Sequence, residues 1–247
     1  MKELDKKRIL WLVLCAVLVI VVCFKFYMDS HEEDKPKEQQ PVATEDAKKF
    51  KEEYESLNDK ENSSGRKYLT INVKEANPVV YKTDAEIAEL FDKGTGLVYF
   101  GFKSCPWCRS MIETLISSAE DNNLDTVYYV DIGNIKSIFK VENNKLQKTK
   151  EGTEAYYKIL EALDDYLSDY KLTDNGKEYD TKEKRLYAPT VVAFKEGKIE
   201  GFHEGVVSSL TDPYAGLDET QKKELKNIFN EMIGKIKDSS CTKNQGC

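Results

Sequence analysis

The chain has 247 residues, 40% hydrophobic and 33% charged, a composition typical of one soluble domain of moderate size with extensions. Its formal net charge of -7 argues against nucleic acid as the main partner, because binding to phosphate groups needs a basic surface.

The first predicted element is a single transmembrane helix over residues 9–27. The uncharged run Ile9–Phe24 nearly spans a hydrocarbon core of ~30 Å at about 1.5 Å per residue. Residues 1–8 are basic and mostly acidic residues follow the run, which predicts a cytoplasmic N-terminus and an extracytoplasmic remainder at the cell membrane. A cleaved signal peptide and lipidation at Cys23 are the alternatives, but the small residues that such sites carry are missing.

Residues 28–67 are strongly polar and predict a stalk, because such a segment cannot bury enough apolar surface to fold alone. Within it, Phe50, Tyr54 and Leu57 fall at helical spacing. Part of the stalk is therefore expected to form a helix that lies on the following domain.

The folded domain is predicted over residues 68–237. It begins with the alternating segment YLTINV, which predicts a strand, and the short strand VVY. Thr83 and Glu86 form a capping box that opens a helix, and the apolar run LVYFGF is typical of a central strand buried on both faces. The later elements are strands at TVYYVDI, YAPTVVAF and KIEGFHEG and a terminal helix over 217–236, an α/β order with a sheet flanked by helices.

A long insertion, about residues 133–185, precedes the YAPTVVAF strand. The apolar positions from Tyr156 to Tyr170 repeat at helical spacing, so the insertion is predicted to be mainly helical. Asn175-Gly176 predicts a turn.

The motif Cys105-Pro106-Trp107-Cys108 stands where the buried strand gives way to a helix. Backbone N–H groups and the positive end of the helix dipole then point at the Cys105 sulfur, which favours its thiolate. Cys108 lies on the same helical face, so it is placed to resolve a mixed disulfide. The alternatives are a structural disulfide and a zinc site, and zinc would need two further ligands, for which His203, Cys241 and Cys247 are the candidates.

The segments LVYFGFKSCPWC and YAPTVVAF resemble the thioredoxin-like superfamily, over roughly residues 77–237. The resemblance implies a central mixed sheet flanked by helices. It also implies that Cys105 and Cys108 form a redox-active disulfide with catalytic roles and that Pro189 is a cis proline facing them.

In that family the residues beside the dithiol bind the substrate. The resemblance therefore implies substrate-binding roles for Pro106 and Trp107, for Pro189, and for the backbone of Ala188. Two departures are visible: Ser104 precedes the first cysteine, where thioredoxins usually have tryptophan, and Tyr99 stands where they have a buried aspartate. Both changes argue against a reductase of the cytosolic thioredoxin type.

Two further features are open to interpretation. Cys241 and Cys247 lie five residues apart in the tail 238–247 and are interpreted as a structural disulfide, with exchange against Cys105 and Cys108 as the alternative. His203 is interpreted as a residue that caps a strand.

The sequence therefore predicts a membrane-anchored, extracytoplasmic thiol-disulfide oxidoreductase that acts on protein or peptide clients, with an unidentified redox partner. No cofactor or metal is expected. The alternative hypothesis is an accessory binding module for a secreted peptide or for protein export, for example of the bacteriocin-accessory type, with a structural dithiol.

Overall fold

The computed structural model describes residues 2–32 and 42–237. Contacts divide the chain into a first unit that ends at Val42 and a second that begins at Ala43. The elements are α1 (Lys2–Glu32), α2 (Glu45–Glu55), β1 (Val79–Tyr81), α3 (Asp84–Lys93), β2 (Gly96–Gly101), α4 (Pro106–Asp121), β3 (Val127–Asp131), β4 (Ile138–Glu142), β5 (Lys145–Lys150), α5 (Glu154–Ala162), a 3-10 turn (Asp164–Tyr166), β6 (Asp169–Asp174), β7 (Lys177–Lys184), β8 (Thr190–Lys195), β9 (Lys198–Glu204) and α6 (Glu219–Ile236).

The first unit contains α1, which covers the predicted membrane anchor. Among the residues that the structure describes, however, no helix has the length and apolar character needed to cross a membrane. The transmembrane helix predicted over 9–27 is therefore wrong. A physical reason is visible in the sequence: the uncharged run Ile9–Phe24 extends only about 24 Å at ~1.5 Å per residue, short of the ~30 Å core, and Lys25 ends it. The extracytoplasmic location depended on this helix and stays a prediction.

The second unit is built on a five-stranded mixed sheet in the order β1-β3-β2-β8-β9. The three strands β1, β3 and β2 are parallel, and β8 and β9 are antiparallel to their neighbours. The central strand β2 is buried on both faces, as its apolar run predicted. Leu97 and Tyr99 belong to the core cluster that contains residues of α2, α4 and α6, whereas Val98 and Phe100 belong to the one that contains residues of α3 and α5.

Part of the predicted stalk belongs to the folded unit. Helix α2 is capped by Thr44, whose hydroxyl accepts the Ala47 N–H at 3.1 Å. Its residues Phe50 and Tyr54 are fully buried in the core, stacked with ring centroids 4.4 Å apart. The compact unit therefore starts at Ala43, before the expected boundary at residue 68.

The segment YLTINV is not a strand. Ile71 and Val73 are buried, which explains the alternating pattern, but side chains satisfy their backbone groups in place of a neighbouring strand. The Asn58 amide both donates to the Ile71 carbonyl oxygen and accepts its N–H, and Glu55 accepts the N–H of Val73. The alternation of apolar and polar residues in this segment therefore reflects the burial of Ile71 and Val73, and it does not require pairing with a neighbouring strand.

The insertion is less helical than predicted, and this part of the fold prediction is also wrong. Helix α5 ends at Ala162, and the remainder contains the hairpins β4–β5 and β6–β7. Asn143-Asn144 and Asn175-Gly176, all with positive φ, form their turns, a backbone conformation that suits two-residue hairpins. Beyond α5, the expected helical positions Leu163 and Leu167 are buried at the two ends of the 3-10 turn, and only Tyr170 lies on β6.

Candidate functional site: the Cys105–Cys108 dithiol

The dithiol lies where β2 passes into α4. Cys105 is the N-cap residue of α4, and Pro106 occupies its first turn, where a backbone N–H is not needed. The Cys105 sulfur accepts a hydrogen bond from the backbone N–H of Cys108 at 3.3 Å. Both cysteines are free thiols. The prediction that Cys105 and Cys108 lie at the start of a helix is confirmed, because both are at the beginning of α4.

The surroundings of Cys105 favour its thiolate. The pKa of Cys105 lies below its usual value, chiefly because the Cys108 thiol hydrogen-bonds its sulfur. Backbone N–H groups of Cys108 and Trp107 and the positive charge of Lys136 act in the same direction, against the effect of burial. A lowered pKa is expected of a cysteine that attacks a disulfide.

Cys108 has the opposite character. It is 0% exposed, whereas Cys105 retains 5% of its residue surface, so Cys105 is the less buried of the two cysteines. Burial raises the pKa of Cys108 well above its usual value, and the neighbouring Cys105 raises it further. The hydroxyl of Tyr99 acts in the opposite direction on the pKa of Cys108.

Ala188, which lies just before β8, contacts Cys105. Strands β2 and β8 are antiparallel neighbours, with Phe100 opposite Thr190, so the end of β2 adjoins the start of β8. The Cys105 thiol donates to the Ala188 carbonyl oxygen at 3.5 Å, and the Ala188–Pro189 peptide bond is cis, as the resemblance implied. The topology therefore brings together two motifs far apart in sequence.

The two residues between the cysteines are half-buried. Trp107 packs against the core cluster that contains both sulfurs, and its carbonyl oxygen accepts the hydroxyl of Ser110 at 2.9 Å. The substrate-binding roles expected for Pro106, Trp107, Ala188 and Pro189 stay predictions.

The sequence interpretation missed the role of Arg109. This side chain is 1% exposed and points into the fold. Its guanidinium donates to the carbonyl oxygens of Leu69 (2.7 and 3.0 Å) and Tyr54 (2.7 Å) and to the Asn58 side-chain oxygen (2.8 Å). Arg109 thus joins the first turn of the dithiol helix to the segment before β1. Its residue type carried no signal for this role, since arginine is usually exposed.

Lys136 was missed as well. It is half-buried in the loop after β3, with its ammonium group 5.3 Å from the centre of the Phe102 ring. Burial lowers the pKa of Lys136, and the nearby charge of Arg185 lowers it further, whereas the charges of Cys105 and Cys108 raise it. The insertion therefore contributes a positive charge to the dithiol, which its position in sequence did not reveal.

The remaining candidates lie apart from this arrangement or outside the described residues. Cys241 and Cys247 belong to the part of the chain that the structure does not describe. His203 lies on β9 with its ring edge-on to Phe229, centroids 5.8 Å apart, and its Nε2 atom is buried without a hydrogen-bond partner. Within residues 2–32 and 42–237, no group of three His, Cys, Asp or Glu side chains is arranged to hold a metal ion.

Comparisons of the whole chain with models of protein families, with curated proteins and with solved structures find no match.

Proposed function

We propose that this protein is a thiol-disulfide oxidoreductase with a thioredoxin-like domain, and that Cys105 and Cys108 alternate between a dithiol and a disulfide. The observation that carries the proposal is the difference between the two sulfurs. Cys105 has a lowered pKa and keeps a small exposed fraction, whereas Cys108 is fully buried with a raised pKa. A structural disulfide needs no such difference.

The reaction begins at Cys105. As a thiolate it attacks a client disulfide and forms a mixed disulfide, while one client sulfur leaves as a thiol after taking up a proton. Cys108 then attacks the Cys105 sulfur, the second client thiol leaves, and the Cys105–Cys108 disulfide remains. The reverse sequence oxidises a client dithiol.

The helix N-terminus supports this chemistry. The N–H of Cys108, 3.3 Å from the Cys105 sulfur, stabilises the thiolate in the reduced protein and lowers the free energy of Cys105 as a leaving group. The Ala188 carbonyl oxygen, 3.5 Å from the same sulfur, marks the side from which a client segment approaches. Proteins or peptides that carry thiols or disulfides are the proposed clients, with a second redox partner that restores the starting state.

A redox titration tests the proposal. The protein is equilibrated in glutathione buffers of stepped potential, and its free thiols are counted by alkylation and mass spectrometry. We expect Cys105 and Cys108 to convert together with a midpoint between about -120 and -270 mV, the range of known exchange proteins. A midpoint below about -300 mV, typical of structural disulfides, would contradict the proposal and favour the accessory-module hypothesis.

A further inference from the structure

A lysine of the insertion lies beside the turn that carries the attacking cysteine. The Lys136 ammonium nitrogen is 5.3 Å from the centre of the Phe102 ring. The Phe102 carbonyl oxygen accepts the N–H of Cys105 at 3.1 Å. Lys136 therefore adjoins the residue that forms the Cys105 turn.

A second cation joins the loop of Lys136 to the other side of the site. Arg185 is 7% exposed, and its guanidinium donates to the Ser137 carbonyl oxygen at 2.8 Å and lies 4.0 Å from the centre of the Tyr170 ring. Three residues later, the Ala188 carbonyl oxygen lies 3.5 Å from the Cys105 sulfur. Both cations therefore belong to segments that contact the Cys105 turn.

Within residues 2–32 and 42–237, neither cation forms an ion pair with a carboxylate, and the acidic side chains nearby are engaged elsewhere. Glu183 accepts the Ser137 hydroxyl at 2.8 Å and pairs with Lys148 at 2.5 Å. Asp131, at the end of β3, accepts the N–H of Gly133 at 2.7 Å. A positive charge that is partly removed from water gains from a nearby anion, so this side of the site suits a carboxylate from another molecule.

The surface next to these cations is open to a bound chain. Tyr187, which stands between Arg185 and Ala188 in the sequence, is 41% exposed and contacts Tyr170 with ring centroids 6.3 Å apart. On the insertion, Ile138 is 37% exposed. A client segment that lies along this surface therefore finds apolar side chains for its own side chains.

We propose that Lys136 binds a carboxylate of the client, so that the preferred clients are peptides or protein segments with Asp or Glu next to the reactive cysteine. The inference rests on the proposed function, because the client sulfur must react at Cys105. It gives the insertion a role in choosing clients, through charge complementarity between Lys136 and the residue beside the client cysteine.

Three synthetic peptides test the preference. They are identical except for Asp, Asn or Lys next to a single cysteine, and each cysteine is protected as its 2-thiopyridyl disulfide. The Cys105 thiolate forms a bond to the peptide sulfur, the bond from that sulfur to the pyridyl sulfur breaks, and the departing thiolate takes up a proton to give pyridine-2-thione, which is measured by its absorbance.

The test uses the reduced full chain with the four cysteines other than Cys105 and Cys108 replaced by serine. Each rate is divided by the rate of the same peptide with 2-mercaptoethanol, an uncharged thiol, which removes differences in the reactivity of the peptides themselves. At about pH 7 and low salt, we expect the Asp peptide to react about two- to fivefold faster than the Asn peptide, the effect of one partly screened ion pair. The Lys peptide should be the slowest, and about 0.5 M salt should bring the three rates together.

Lys136→Gln should remove the preference. Loss of the charge also weakens the Cys105 thiolate, but this slows all three peptides by the same factor and leaves their ratio unaffected. In Lys136→Glu the order should invert, with the Lys peptide the fastest. Lys140→Gln is the matched control, because it removes the same charge from an exposed position on β4 of the same insertion, and it should keep the preference.

The outcomes separate this inference from the proposed function. Equal rates for the Asp and Asn peptides with the unmodified protein, or an unchanged preference in Lys136→Gln, would overturn the inference and leave exchange at Cys105 in place. Equal loss of the preference in Lys140→Gln would also overturn it, because the overall charge of the insertion would then be the cause. Failure of the unmodified protein to release pyridine-2-thione from any of the peptides would remove both.

Discussion

The sulfur of Cys105 and the carbonyl oxygen of Ala188 lie 3.5 Å apart, although 83 residues separate them in the chain. The sheet order brings them together, because β2 and β8 are adjacent and antiparallel. The Cys108 N–H approaches the same sulfur at 3.3 Å. Cys105 therefore has one hydrogen-bond acceptor and one hydrogen-bond donor as neighbours of its sulfur.

Different alkylation rates of the two thiols are the first expectation. Because its pKa is lowered, Cys105 keeps its thiolate at lower pH than a free cysteine, whose pKa is about 8.5. Cys108 is fully buried and its pKa is raised. In the reduced protein near neutral pH, Cys105 should therefore react with iodoacetamide at least about tenfold faster than Cys108. Peptide mass spectrometry after timed quenching measures both rates, and faster labelling of Cys108 would reverse the assigned roles.

Removing the charge of Lys136 should weaken the Cys105 thiolate. The positive charge of Lys136 lowers the pKa of Cys105, so Lys136→Gln should raise it. Alkylation of Cys105 near neutral pH should then slow roughly two- to fivefold, because a partly screened charge contributes less than about 1 kcal/mol. Lys103→Gln is the control, since it removes the same charge at a residue that is not one of the main causes of the lowered pKa of Cys105. Equal slowing in both variants would mean that net charge, and not the position of Lys136, sets the rate.

Arg109→Lys should destabilise the fold. Lysine keeps the charge but cannot reproduce the planar set of donors that binds Leu69, Tyr54 and Asn58, so buried carbonyl groups lose partners. We expect a loss of about 2–4 kcal/mol in the free energy of unfolding, measured with urea. Arg66→Lys is the control: Arg66 pairs with Asp212 on the surface, with a side chain 49% exposed, and should change stability by less than about 1 kcal/mol. Similar losses in the two variants would contradict the role of Arg109.

His203 should make stability depend on pH. Burial lowers its pKa, and its Nε2 atom has no partner, so protonation would place an unpaired charge inside the fold. Below about pH 6.5, the usual histidine pKa, the unfolded chain binds more protons than the folded one, so stability falls as the pH falls. The free energy of unfolding of His203→Asn, measured with urea, should therefore change less between about pH 7 and pH 5 than that of the unmodified protein. If the free energy of unfolding falls equally with decreasing pH in both proteins, groups other than His203 cause the loss of stability in acid.

How much the sequence could predict differs between the sheet and its surroundings. The runs of β2, β3 and β8 are apolar enough to identify the strands, and the place of Cys105 at a helix start followed from the strand that precedes it. Arg109 and Lys136 were not predictable as site residues, because their roles arise from contacts with segments distant in sequence. A single residue pattern cannot report such contacts.

The errors in the insertion and in α2 have different physical origins. In the insertion, the helical spacing held only as far as α5, which ends at Ala162, and the turn residues Asn143-Asn144 and Asn175-Gly176 belong to the two hairpins that the prediction left out. In α2, the spacing of Phe50 and Tyr54 correctly predicted a helix on the domain, but the polar composition around it led to a domain start at residue 68 in place of Ala43.

Trapping of clients on Cys105 tests the central claim most directly. A mixed disulfide normally disappears when Cys108 attacks it, so Cys108→Ala should accumulate adducts that reductant removes. Non-reducing electrophoresis of cells that produce the full chain should show these adducts for Cys108→Ala and none for Cys105→Ala or for the double variant. Recovery of the same partners with the double variant would contradict exchange at Cys105 and show that the dithiol serves the structure alone.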